Sequence, residues 1–293
     1  MPTAKPLTIA YTPDSDDAFY YDALESGAVK LPRFCPAFLR APMQVLNRAA
    51  MDGIYDVTAI SSVIYPRIAS RYAILSVGTS VGRGYGPVLV GRSSQTLDDL
   101  AGRLVGVAGI PTTGWFLLRQ FCPAAVAVEM PFDEIGDAVA AGAIAAGVMI
   151  HEELLYYPRL GLEKIVDLGA VWCEREGLPL PVGLNVIRRD LGAAVMQTIC
   201  RAIKKSLRHG LDHLEETMTR VSRFGRGVGG ECTRPFVSMF ANEDSLHMPA
   251  DVRSGMEVLF RQVAAQDLCD RVPAIDIIEG LPSQARARRR QAA

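Results

Sequence analysis

The stretch Ala145 to Tyr157 (AAGVMIHEELLYY) is where the sequence first points to chemistry. Its apolar run, Ala146 to Ile150, breaks off at His151-Glu152-Glu153. Small and β-branched residues in such a run fit a buried strand of a parallel sheet. Open α/β sheets bind ligands beyond the carboxyl ends of their strands, and His151 is the first polar residue past this end. An imidazole there can take or give a proton near neutral pH. Position alone leaves a second reading open, a strand-end histidine that bonds a neighbouring carbonyl. His209, His213 and His247 are not placed in this way.

Three further strand ends carry polar clusters. Leu7 to Tyr11 (LTIAY) reads as a strand, followed by Thr12-Pro13-Asp14-Ser15-Asp16-Asp17. Ser15 or Asp16 can cap the next helix, and capping is a sufficient role for each of the three aspartates. Val57 to Ile60 ends at Ser61-Ser62. Leu104 to Val107 leads through Gly109-Ile110-Pro111 to Thr112 and Thr113, at the start of a helix from Gly114 to Phe121. The first backbone N–H groups of that helix can bind a carboxylate or other anion. Gly82-Arg83-Gly84-Tyr85-Gly86-Pro87 lacks the ending of a phosphate-binding P-loop. It reads as a turn, or as a place where backbone approaches a ligand. These groups together suit a small polar, carboxylated molecule.

The elements that position these residues alternate. Strands are expected at Tyr72–Val77, Val88–Val90, Val126–Met130 and Leu184–Ile187. Helices are expected at Pro42–Ala50, at Ser94–Leu100 and after Asp133. After Asp190 only helices are expected: Ala193–His213, with Val195, Ile199, Ile203 and Leu207 in phase, then Leu214–Phe224, Arg234–Phe240 and Ala250–Asp267. Arg223 to Gly230 reads as a loop with solvated arginines. The alternation predicts an α/β fold with largely parallel sheets. Its strands fall into two groups, so the expected architecture has two lobes with the ligand cleft between them and a helical C-terminal region. Residues 1–89 and 186–281 form the larger, discontinuous lobe, 90–185 the smaller inserted one, and 282–293 a disordered basic tail.

Composition narrows the function. The chain has 293 residues, 49% hydrophobic and 22% charged, with a formal net charge of −1. That balance supplies a large core and gives no general drive toward nucleic acid or anionic membrane. Its six cysteines are scattered, without CxxC or metal-ligand spacing, as expected of reduced thiols. No run is long and apolar enough for a membrane span, and no signal-peptide pattern opens the chain. A cytoplasmic protein acting on a small carboxylate is expected, with no metal, no cofactor and no nucleic-acid partner; a homodimer is left open.

Five segments in order resemble one family: TPDSDDAF at Thr12–Phe19, GRGYGP at Gly82–Pro87, TTGWFLL at Thr112–Leu118, IHEELLYYPRLGLEKIVDLG at Ile150–Gly169, and GLPLPVGLNVIRRDLG at Gly177–Gly192. They resemble the 1,4-dihydroxy-6-naphthoate synthases of the futalosine route to menaquinone. The resemblance implies a periplasmic-binding-protein type 2 fold. It implies His151 as catalytic base and Ser61, Thr112 and Thr113 as ligand contacts; Asp14, Asp16 and Asn185 complete the candidate substrate-binding set. The implied reaction converts cyclic dehypoxanthine futalosine to 1,4-dihydroxy-6-naphthoate by proton abstraction and carbon–carbon cleavage. Glu153-Leu154-Leu155-Tyr156-Tyr157 departs from the family's usual stretch after the histidine, and TPDSDD from its more common serine opening. Two alternatives share the fold: a sister enzyme like chorismate dehydratase, and a non-catalytic cytosolic carboxylate-binding protein.

Overall fold

A computed structural model describes residues 4–225 and 230–280. Half of the expected loop at 223–230 (residues 226–229) and the whole tail at 282–293 lie outside the described residues.

The chain opens with β1 (Lys5–Tyr11), α1 (Ser15–Glu25), β2 (Phe34–Arg40), α2 (Met43–Asp52), β3 (Val57–Ser61), α3 (Tyr65–Ile68), β4 (Tyr72–Leu75) and β5 (Ser80–Gly82). It crosses to β6 (Val88–Gly91), β7 (Leu104–Val107), α4 (Thr113–Phe121), β8 (Val126–Glu129), α5 (Phe132–Ala140), β9 (Ala146–Met149), α6 (Glu153–Tyr156), β10 (Glu163–Asp167) and α7 (Leu168–Glu176). It returns through β11 (Leu180–Arg188). Helices α8 (Ala193–Asp212), α9 (Leu214–Val221), α10 (Gly230–Phe240), α11 (Glu243–His247) and α12 (Ala250–Ala265) follow, then the short β12 (Ile277–Ile278).

Two sheets result. The larger has strand order β12-β4-β11-β3-β1-β2, with β5 on β11; the smaller has the order β10-β6-β9-β7-β8. Strand β11 runs unbroken in the larger sheet, across the 185/186 boundary expected from sequence. The architecture is α/β with two sheets, as the alternating pattern predicts. The expectation of largely parallel sheets is corrected: β11 pairs antiparallel with β3, β4 and β5, and β6 pairs antiparallel with β9 and β10. The reason is the crossing itself. Strands that carry the chain between sheets run against those built by strand–helix–strand units.

Burial explains the elements. Every residue of β3 and β9 is buried, which small and β-branched side chains permit between layers. Helix α8 buries Met196, Ile199, Cys200, Ile203 and Leu207 and packs on α1. Strand β2 has no clear signature in FCPAFLR because Pro36 interrupts it; it is an edge strand, where a proline is tolerated. The helix expected at Ser94–Leu100 is only a short 3-10 turn at Asp98–Leu100. There Asp99 reaches back to accept from the Thr96 N–H at 2.8 Å, a local bond that competes with a helix start. All six cysteines are free thiols. No helix among the described residues is long and apolar enough to cross a membrane.

Candidate active site at the strand ends

Strand β9 delivers His151. Gly147 lies so close under α5 that a Cβ there would stand 2.2 Å from Ile135 Cγ2. The strand is therefore pressed against its helix, which fixes where its end emerges. His151 itself adopts φ 54°, in the left-handed region. That conformation costs a non-glycine residue about 1–3 kcal/mol and clusters at functional sites. Neighbours on an extended chain point to opposite faces, but this backbone turns His151 and Glu152 the same way. Both side chains reach the start of α1, in the other sheet's layer. His151 Nδ1 lies 2.5 Å from Asp14 Oδ2. Glu152, fully buried, accepts from the Ser15 N–H at 3.1 Å and from Ser15 Oγ at 2.5 Å. The Phe132 ring meets the imidazole edge-on at 4.8 Å between centroids.

The start of α1 is built around Asp14. It, and not Ser15 or Asp16, is the N-cap, and it accepts from the Asp17 N–H at 3.3 Å. The Thr12 hydroxyl contacts Asp14 Oδ2 at 2.7 Å and Asp17 Oδ2 at 2.6 Å. Burial works against the Asp14 charge, but the facing His151, with bonds from His151, Asp16 and Thr12, lowers its pKa to about 2. Burial, then the charges of Asp14 and Asp17, push Asp16 well above the ordinary range. Burial and the Asp14 charge raise Asp17 to about 7, against its bonds from Thr12. One oxygen from each of the three acids falls within 4.8 Å of the others. Like charges tolerate that closeness only with protons or countercharge among them.

Asp16 Oδ1 is buried and, among the described residues, has no hydrogen-bond partner. A carboxyl that keeps its proton in the folded state binds more protons than the unfolded chain above the ordinary value of 3.8. Its contribution to stability therefore declines as pH rises through that value. Asp16→Asn does not titrate, so it should gain stability relative to wild type as pH is raised from about 4 to 7. Melting temperatures of both proteins across that range check it; a constant difference would contradict the raised Asp16 pKa.

The opposite wall carries the other candidates. Ser61 is held by Asn47, whose Nδ2 donates to Ser61 Oγ at 3.1 Å and to the Pro111 carbonyl at 3.2 Å. Thr112 caps α4: its hydroxyl accepts from the Trp115 N–H and donates to the Gly109 carbonyl. Thr113 Oγ1 donates to the Val182 carbonyl at 2.7 Å. Both threonine hydroxyl protons are thus committed to main-chain carbonyls, and the donors left for an anion are the first-turn amides at Thr113 and Gly114. Asn185 is not among the cavity-lining residues. Its amide is taken by the Tyr21 hydroxyl at 2.7 Å and the Gly78 carbonyl at 2.8 Å, in a notch that any side chain at 78 would fill.

His151, Asp14, Asp16, Ser61, Thr112 and Thr113 all line one cleft of about 640 Å³, mouth included. Thr12 and Asp17, from the same strand-end cluster, complete the acidic end. Sequence reasoning missed the apolar wall, which Met43, Leu154, Phe236 and Phe240 supply. Gly86 and Pro87 also line it, from the glycine-rich segment read as a close-approach candidate. Gly86 can sit there because it packs on Gly169, where a Cβ would stand 2.5 Å from Gly86 Cα. A wider hollow lies on the surface beside Pro66 and Asp270. Its Arg189 and Asp276 pair with each other, and no strand-end residue reaches it.

This geometry has relatives. A family model described as menaquinone biosynthesis matches residues 7–265. A 1,4-dihydroxy-6-naphthoate synthase of Thermus thermophilus is 35% identical over 267 residues, 91% of this chain and 97% of that protein. One of Streptomyces coelicolor is 32% identical over 280 residues, 93% and 97% of the two chains. A solved protein of Archaeoglobus fulgidus superposes with a TM-score of 0.86 at 36% identity, over 90% of this chain and 98% of that one. The alkanesulfonate-binding protein of Xanthomonas axonopodis pv. citri, bound to MOPS, superposes with a TM-score of 0.69 at 14% identity, over 95% and 98%. This last likeness is one of fold and identifies the periplasmic-binding-protein architecture. With a family match spanning both sheets and most of the C-terminal helices, and full-length relatives at this identity, the chain belongs to the menaquinone biosynthesis family.

Proposed function

We propose that the protein is a 1,4-dihydroxy-6-naphthoate synthase, a carbon–carbon lyase that converts cyclic dehypoxanthine futalosine to 1,4-dihydroxy-6-naphthoate. The observation that carries this reading is the His151–Asp14 contact of 2.5 Å at the floor of a cleft with an apolar wall. A carboxylate on Nδ1 fixes the imidazole tautomer, so proton exchange with a ligand runs through Nε2. His151 then acts as the base that removes a carbon-bound proton, and the resulting imidazolium is stabilised by Asp14. The ring system of the substrate lies against Phe236, Phe240 and Leu154, where aromatic side chains offer large contact area. Its carboxylate is held by the amides that open α4, with the helix dipole in its favour.

On this reading the protein works in the cytoplasm on a soluble metabolite. Residues of the larger sheet and the C-terminal helices form one lobe, and those of the smaller sheet the other. Purified protein incubated with the cyclic futalosine, with products followed by mass spectrometry, tests the assignment. Naphthoate formation that depends on the protein is the expected result. Binding of the cyclic futalosine without turnover would instead mark a carboxylate-binding protein.

A further inference from the structure

The Thr12 hydroxyl contacts two carboxyl oxygens, Asp14 Oδ2 at 2.7 Å and Asp17 Oδ2 at 2.6 Å. A hydroxyl owns one proton, and two ionised carboxylates own none. One proton can occupy only one of these contacts. The other would set lone pairs face to face at hydrogen-bond distance, with all three residues buried. A second proton therefore sits in the trio. Asp14 is the poorer place for it: its carboxylate faces His151 Nδ1 at 2.5 Å, a group that can be cationic, and accepts from the Asp17 N–H at 3.3 Å, whereas Asp17 Oδ2 accepts from the neutral Thr12 N–H at 2.9 Å.

The surroundings of Asp17 point the same way. Around it stand Asp14 and Asp16 on its own turn, His151 from beyond β9, and the phenols of Tyr20 and Tyr21 along α1, while Glu152 acts on Asp16. Of these only His151 can be cationic, and Asp14 faces it first. Arg220 of α9 is engaged by Asp22, further along α1.

We propose that Asp17 rests as a neutral carboxylic acid that donates to Thr12 Oγ1, so that the Thr12 proton is committed to Asp14 and Asp14 is held as the carboxylate facing His151. Asp17 is then a positioning residue that acts on His151 through Thr12 and Asp14; its catalytic consequence rests on the function proposed above. When Asp17 ionises, its proton leaves to solvent. One proton then serves two contacts, a second negative charge lies beside Asp14, and the hold on His151 loosens. Burial and the Asp14 charge bring the Asp17 pKa to about 7, so the change falls at working pH.

Carbon NMR of protein labelled with ¹³C at its aspartate carboxyls tests this without any substrate. The expected result is a carboxyl that titrates near pH 7, is retained in Asp16→Asn and is lost in Asp17→Asn. Thr12→Val keeps shape but removes the bridging oxygen, and should displace that titration. The inference is overturned if every wild-type aspartate titrates at about pH 4 or below. It is overturned equally if the near-neutral titration vanishes in Asp16→Asn, or persists in Asp17→Asn. The wild-type titration and the Asp16 variant decide the matter even if Asp17→Asn does not fold. A protein that makes no naphthoate but shows the expected titration supports the proton assignment while removing the catalytic reading. In an active protein, the fall in turnover on the alkaline side of neutrality should disappear in Asp17→Asn, whose carboxamide stays neutral at every pH.

Discussion

His151→Asn should lower turnover of the cyclic futalosine by about two to four orders of magnitude, the usual worth of general-base catalysis, while leaving its dissociation constant nearly unchanged. The backbone makes asparagine the informative replacement. At φ 54°, position 151 sits in the left-handed region, which asparagine tolerates and β-branched residues do not. Asn keeps a polar side chain able to donate toward Asp14, but offers no nitrogen basic at neutral pH. Loss of kcat with binding preserved is the signature of an interaction made in the transition state. Steady-state kinetics with calorimetric measurement of substrate binding separates the two quantities. Turnover near the wild-type rate would reduce His151 to a structural strand-end residue.

How much of this site was legible follows from which distances are local. The strand ends were, because each is a short run of small or β-branched residues broken by a polar cluster: AGVMI before His151, VTAI before Ser61, LVGV before Thr112. The helix cap at Thr112 follows from the same rule, since its bond to Trp115 spans one turn. The pairing of His151 with Asp14 was not legible. The two residues are far apart in the chain, and nothing local says which strand ends face each other. Glu152 shows the cost of assuming an ideal backbone. An extended chain would turn it away from His151, but the positive φ at 151 sends both toward α1. Phe236 and Phe240 read as one apolar side of a helix, a pattern that fits core packing and ligand contact alike. Asn185 stands apart from the other candidates: its hydrogen bonds go to Tyr21 and Gly78 inside the larger sheet, partners that local sequence does not reveal.

Asp14→Asn carries the second large effect. Asparagine is as good an N-cap as aspartate, so α1 should still start in place. What disappears is the charge opposite His151. Removing one member of a buried ion pair costs about 3–5 kcal/mol, which corresponds to about two to four orders of magnitude if the imidazolium is formed in the rate-limiting step. The stability consequence has a defined sign. The folded-state pKa of Asp14 is lowered from 3.8 to about 2, so its charged form stabilises the fold above the ordinary aspartate value, and that contribution is lost as pH falls through 2. Asp14→Asn should therefore melt below wild type near neutrality, with the gap closing in strong acid. The double variant Asp14→Asn, His151→Asn should turn over no more slowly than His151→Asn alone, because Asp14 acts through the imidazole and has nothing left to act on. Rates measured on all four proteins give the coupling directly. If the two losses add in full, Asp14 and His151 contribute independently, and the carboxylate does not work through the base.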